Sequence, residues 1–213
     1  MDYYAPLLAD KIYHITARAV GKEKLFLHDD NYRFFLSRYD RYISPVADTF
    51  AWALLPNHIH FLIRIKPYPQ LQEHYKKIKP HGKEEEGWQP GFVMKRFGNL
   101  FNSYAKSFNL QNNRRGALFI DYMRRLEVNT AAHYSATIFY IHKNPVHHGY
   151  CKQISNWPWS SYKTILSKAP TKIERQLVLD WFGDTGKFIA YHAQPIHLKN
   201  AVLVEFEDSF KIS

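Results

Sequence analysis

The chain has 213 residues, 46% of them hydrophobic and 16% aromatic, with 29 Lys and Arg against 19 Asp and Glu. A single cysteine excludes an internal disulfide framework and a cysteine-built zinc cluster, and no apolar run approaches the ~18 residues of a membrane span. The formal net charge of +10, mixed with many aromatics, suits a partner that carries both phosphates and bases. The first residues lack a basic segment leading into an apolar one, so a cytoplasmic protein with no membrane attachment is the expectation.

Residues 11–20 are rich in β-branched and aromatic side chains and predict a first strand. Asp29, Asp30 and Asn31 offer caps for a helix near 30–43, on which Tyr32, Phe35, Leu36 and Tyr39 recur at helical spacing before Ser44-Pro45. A second strand over 49–55 passes through Pro56-Asn57 into a third, from His58 to about Ile65. So short a turn makes the two an antiparallel hairpin. Lys, Glu, His, Pro and Gly crowd 66–91, which reads as a long charged loop.

A long helix follows, with Val93, Phe97, Leu100, Phe101, Tyr104, Ala105 and Phe108 on one stripe and Lys95, Arg96, Asn99, Asn102 and Lys106 on another. A basic turn with Arg114 and Arg115 leads to a strand over 117–128 that includes Arg124 and Arg125. Asn129 or Thr130 caps a helix through about Lys143, stopped by Pro145. It carries an apolar stripe of Ala131, Tyr134, Ile138 and Ile141, and a more polar one of His133, Thr137, Tyr140 and Asn144. Residues 157–162 are an aromatic turn into a short helix, and 171–192 hold one or two more helices. The order β-α-β-β-α-β-α is a split βαβ arrangement plus one helix. It predicts an α+β fold, an antiparallel sheet with helices packed on one face, over residues 1–162, and an α-helical C-terminal extension over 163–213.

Alternate residues of a strand share a face, so His58 and His60 point the same way and can fill two positions around one metal ion. A phenol is a weak nucleophile near neutral pH, its unperturbed pKa being ~10. It becomes useful when a divalent ion polarises a phosphodiester. Attack by Tyr140 would then give a phosphotyrosine link and a free 3′-hydroxyl, reversible because the bond energy is kept. Asn144, one helical turn beyond Tyr140, can offer an amide oxygen as a third ligand.

These residues carry a resemblance. Leu55-Pro56-Asn57-His58-Ile59-His60-Phe61-Leu62 resembles the His–hydrophobic–His motif of the single-tyrosine HUH transposases. The run from Tyr140 to Gly149 resembles the tyrosine helix of their REP-associated, IS200-like branch. Tyr13-His14-Ile15-Thr16, Gly116-Ala117-Leu118-Phe119 and Trp157-Pro158-Trp159-Ser160-Ser161-Tyr162 are also similar to segments of that family, so the likeness spans roughly 11–162. The resemblance implies a ferredoxin-like fold and cleavage and rejoining of single-stranded DNA near small hairpins. It implies His58 and His60 as ligands of Mg2+ or Mn2+, Tyr140 as the nucleophile that forms a covalent 5′-phosphotyrosine, and Asn144 near the metal, where some relatives carry Gln. Lys95, Arg96, Lys106, Arg114, Arg115, Arg124 and Arg125 are the candidate DNA contacts. The protein would act as a monomer or a homodimer. Two other readings of the residues stay open: a non-catalytic nucleic-acid-binding protein on the same fold, and a metal-dependent hydrolase with water as its nucleophile.

Overall fold

A computed structural model describes residues 4–120 and 123–195. Its strands are β1 (Ile12–Arg18), β2 (Ala47–Leu55), β3 (His58–Ile65) and β4 (Arg124–Val128). Its helices are α1 (Asp29–Tyr42), α2 (Tyr68–Ile78), α3 (Trp88–Gln111), α4 (Ala131–His147), α5 (Tyr162–Leu166), α6 (Arg175–Phe182) and α7 (Thr185–Ala193). The four strands form one antiparallel sheet in the order β2-β3-β1-β4. The fold is α+β, as the element order predicts, and its βαββαβ part, with α1 and α3 as the two crossing helices, is ferredoxin-like.

The strands form where β-branched and aromatic residues alternate across the sheet. Ile59, Phe61, Ile63 and Ile65 of β3 point to one face, with Ile15 and Ala17 of β1, and are covered by Phe35 of α1 and by Phe97, Leu100 and Tyr104 of α3. Each fully buried Ile, Leu or Phe among them contributes about 1.5–3 kcal/mol. At the start of α1, Asn31 Oδ1 reaches back to accept the N–H groups of Leu27 (2.9 Å) and His28 (3.2 Å), so Asn31 closes the first turn while Asp29 and Asp30 sit in it.

The opposite face is covered too. Phe50, Ala51, Ala53 and Leu55 of β2 and Leu62 of β3 pack there against Ile138 and Ile141 of α4, Ile165 of α5, Val178 of α6 and Phe188 of α7. Helices on one face therefore describes α1 and α3 only. α4 crosses to the other side, and the extension helices share its core. Residues 196–213 of the expected extension lie outside the described residues.

Three expectations from sequence need correction. The segment 66–91 is not one loop: α2 occupies Tyr68–Ile78, held by buried Leu71 and Tyr75, and α3 begins at Trp88. The strand expected over 117–128 is regular only over Arg124–Val128. Before it, Phe119 makes an isolated bridge to Ala19, and residues 121 and 122 lie outside the described residues. Pro145 does not stop α4, which runs on to His147. A proline in the last turn leaves only the Ile141 carbonyl without its N–H partner, a loss the end of a helix tolerates.

Candidate active site

The residues that cover the sheet's second face converge on the two histidines. In the β1–β3 register Arg18 stands opposite His58, Thr16 opposite His60, and His14 opposite Leu62, so all of them project to the face under α4. His60 is buried. With its Nδ1–H donating to His14 Nε2 at 3.0 Å, its Nε2 keeps a lone pair. That Nε2 is buried and has no hydrogen-bond partner among the described residues. Burial, reinforced by the charges of His58, His14 and His148, holds the His60 pKa well below the usual histidine value and keeps the ring neutral.

His58 is half-exposed at the strand's start. Its Nδ1 lies 2.8 Å from Asn57 Oδ1 and its Nε2 2.9 Å from Asn144 Oδ1. When Asn57 Oδ1 accepts the Nδ1–H, the His58 Nε2 lone pair faces the Asn144 oxygen. Two acceptors so close are held together by a shared proton or cation. The orphaned His60 Nε2 and this acceptor pair fit a divalent cation. Two imidazoles with an amide oxygen form a mixed nitrogen–oxygen set, more natural for Mn2+ than for Mg2+, which prefers oxygen. Among the described residues no group of three or more His, Cys, Asp or Glu is arranged to hold a metal, so the amide of Asn144 would be the third protein ligand.

Tyr140 and Asn144 reach this place because α4 starts where it does. Thr130 Oγ1 accepts the His133 N–H at 3.2 Å and fixes the helix origin. The stripe of Thr137, Tyr140 and Asn144 then faces the sheet, with Thr137 and Asn144 fully buried and Tyr140 half-buried. The Tyr140 ring stands edge-on to His60, with centroids 5.6 Å apart at 89°, and to His14 at 5.9 Å and 78°. A phenol, two imidazoles and an amide thus come from β3 and α4 of a single chain. Groups in that arrangement can hold a phosphodiester between a cation and an attacking oxygen.

The expected basic contacts divide. Arg124 shares the histidine face, opposite Thr16, which is itself opposite His60. Arg96 donates to the carbonyls of Tyr42 and Arg41, Arg114 to those of Gly116 and Ala117 and to Glu23, and Arg125 to those of Ala5 and Tyr4, so these three tie segments of the fold together. Lys95 and Lys106 are exposed on α3, which covers the opposite face, and Arg115 is exposed in the turn after it. The structure therefore does not gather the seven around the histidines.

It does gather three residues not among the expected site residues: His14 behind His60, Arg18 beside His58, and His148, whose ring lies 4.9 Å from that of His58. The parity of β1 relative to β3 was the missing signal, and local sequence does not encode it.

His142, on α4 between Tyr140 and Asn144, has another place. Its Nδ1 lies 2.9 Å from His192 Nε2 and its Nε2 2.7 Å from Ser161 Oγ. His192 Nδ1 faces the Phe188 carbonyl at 2.8 Å, and Ser161 Oγ accepts the Trp52 N–H at 2.9 Å. Reading from the carbonyl, each proton is assigned: His192 donates to it, His142 to His192, and Ser161 to His142. This buried relay fastens α7 and β2 to the helix that carries Tyr140.

No family model matches the chain. It is 28% identical over 152 residues to a Haemophilus influenzae protein provisionally named as a REP-associated tyrosine transposase, across 71% of this chain and 79% of that one. Among solved structures, that of a REP-associated tyrosine transposase bound to a REP hairpin superposes with a TM-score of 0.56 over 80% of this chain and 88% of its own, at 17% identity, which is a likeness of fold. The relative in sequence and the neighbour in fold agree with the motifs: the chain is similar to the REP-associated, IS200-like tyrosine transposases.

Proposed function

We propose that this chain is a metal-dependent DNA transposase, a strand transferase that cleaves and rejoins single-stranded, hairpin-containing DNA through Tyr140. The observation that carries the reading is the edge-on placement of the Tyr140 ring 5.6 Å from His60, on the sheet face that also receives Asn144. The sequence relative bears the name of such an enzyme, and the neighbour in fold was solved with a REP hairpin.

His58, His60 and Asn144 would hold the ion, Mg2+ or Mn2+, and when bound it would draw charge from the phosphodiester oxygens. With His14 Nε2 accepting the His60 Nδ1–H, the His60 Nε2 lone pair would be left for the ion. α4 carries the Tyr140 ring to the same sheet face, and its oxygen would be the attacking group. That oxygen forms a bond to phosphorus as the phosphorus–O3′ bond breaks. The phenolic proton is lost, the departing 3′ oxygen gains one, and the 5′-phosphate stays on Tyr140. Attack by a new 3′-hydroxyl reverses each change and joins a different strand.

The test is to incubate the protein with hairpin-bearing single-stranded DNA and Mg2+ or Mn2+, and then to separate covalent adducts under denaturing conditions. The reading expects an adduct that disappears in Tyr140→Phe. A protein that binds hairpins but forms no adduct with either ion is the non-catalytic binder. One whose cleavage survives Tyr140→Phe is a hydrolase using water.

A further inference from the structure

A line of rings leads out of the histidine site. From His58 it passes to His148 (4.9 Å between centroids), to Tyr150 (6.3 Å) and to Trp157 (5.6 Å, planes at 34°). Tyr150 is 41% exposed. Its position is fixed by the end of α4. The N–H of Gly149 donates to the Val146 carbonyl at 3.0 Å and the N–H of Tyr150 to the Pro145 carbonyl at 2.9 Å, with Gly149 at a φ of +73°. This is the paired bonding that locks a chain leaving a helix through a left-handed glycine. Trp157 is fixed from the other side, its indole N–H donating to the Leu54 carbonyl at 3.1 Å.

The ring platform is therefore rigid with respect to Asn144 on one flank and β2 on the other. Arg18 completes its surroundings: it stands opposite His58 in the sheet, and its charge acts on the Tyr150 hydroxyl. A part-exposed aromatic ring, a rigid mounting and a guanidinium charge acting on it suit sequence-tolerant binding of an unpaired nucleotide.

We infer that Tyr150 and Trp157, with Arg18, seat an unpaired nucleotide of single-stranded DNA next to the histidine site, its base stacked on the Tyr150 ring and its phosphate against Arg18. The inference rests on the proposed strand-transfer reading for its ligand class and adds where the strand lies. A base stacked here would aim the neighbouring phosphate toward His58 and Tyr140. It would also favour flexible, unpaired strand over duplex, whose bases are already stacked.

Fluorescence anisotropy with labelled decathymidylate, and with an abasic strand of the same length, tests it in metal-free buffer. Tyr150→Ala should weaken decathymidylate binding on the order of tenfold and leave abasic-strand binding unchanged, while Tyr150→Phe restores the wild-type difference. Arg18→Gln should weaken both strands alike and flatten the salt dependence by about one phosphate contact. The seat is overturned if the wild-type protein binds the two strands equally, or if Tyr150→Ala weakens both by the same factor or neither. The Tyr140 adduct is scored separately. An adduct with no preference for bases removes only the seat, whereas the base preference without an adduct supports the seat and removes only strand transfer.

Discussion

Tyr140 and His60 meet edge to face within one chain, 5.6 Å between ring centroids, although 80 positions separate them. β3 and α4 bring them together without a second subunit. If the proposed chemistry uses this arrangement, mixing inactive Tyr140→Phe chains with inactive His60→Ala chains restores no adduct. Recovery toward a quarter or half of wild-type yield, read on a denaturing gel, would mean that the tyrosine is supplied between subunits.

His14 is placed to set the tautomer of His60. Groups that orient a metal ligand typically govern its affinity by roughly 10- to 100-fold. His14→Ala is therefore expected to weaken Mn2+ binding by about that factor, measured by the loss of free-ion signal in electron paramagnetic resonance. Circular dichroism checks that the fold persists. Unchanged affinity in a folded variant would assign His14 to packing alone.

The buried relay through His192 predicts an acid dependence of stability. Burial is the main cause that pushes its pKa down to about 4, with the Lys143 charge adding to the fall and the Phe188 carbonyl opposing it. The unfolded chain takes up this proton near the ordinary histidine value of ~6.5. Above that pH neither state is protonated and the group has no effect. Between there and about 4 the unfolded state alone binds the proton, so stability falls as pH falls, by about 1.4 kcal/mol per pH unit. Below about 4 the effect levels off. Urea denaturation across this window should show a shallower slope for His192→Phe than for wild type; identical slopes would exclude His192 as the source.

Phe188 joins the extension to the main core, fully buried among Tyr162, Phe182, His142 and His192. Phe188→Ala should cost about 3–5 kcal/mol in global stability. Because α7 is fastened to α4 through His142, hydrogen exchange should quicken along α4 as well as in α7. Exchange confined to α7 would show that the extension is energetically separate.

Gly149 isolates a backbone effect. A methyl group there would meet nothing within 4 Å, but the φ of +73° penalises any side chain. Gly149→Ala should destabilise by about 1 kcal/mol without a steric cause. A neutral effect in denaturant titration would mean that the turn after α4 relaxes freely, which would weaken the rigid mounting of Tyr150.

Periodicity made much of this fold legible. The His58–His60 pair announces its shared face by strand alternation, and the spacing of Thr137, Tyr140 and Asn144 announces a helical stripe. α2 was hidden because only Leu71 and Tyr75 are buried among its polar residues, a pattern too thin to distinguish from a charged loop. The crossing of α4 to the second face was hidden because an apolar stripe does not say which side of a sheet it will meet. The same ambiguity left open which basic residues share the histidine face. Lys95 and Arg96 mark a polar stripe, but the packing of α1 and α3 sends that stripe away from the histidines, while Arg18 needs the β1–β3 register before its place beside His58 appears.

The most direct test of the central claim is peptide mapping by mass spectrometry of protein treated with hairpin-bearing single-stranded DNA and Mn2+. The account predicts a nucleotide 5′-phosphate linked to Tyr140, absent from Tyr140→Phe and from His60→Ala. A covalent link on another of the 15 tyrosines, or the same link formed in the His60→Ala protein, would contradict it.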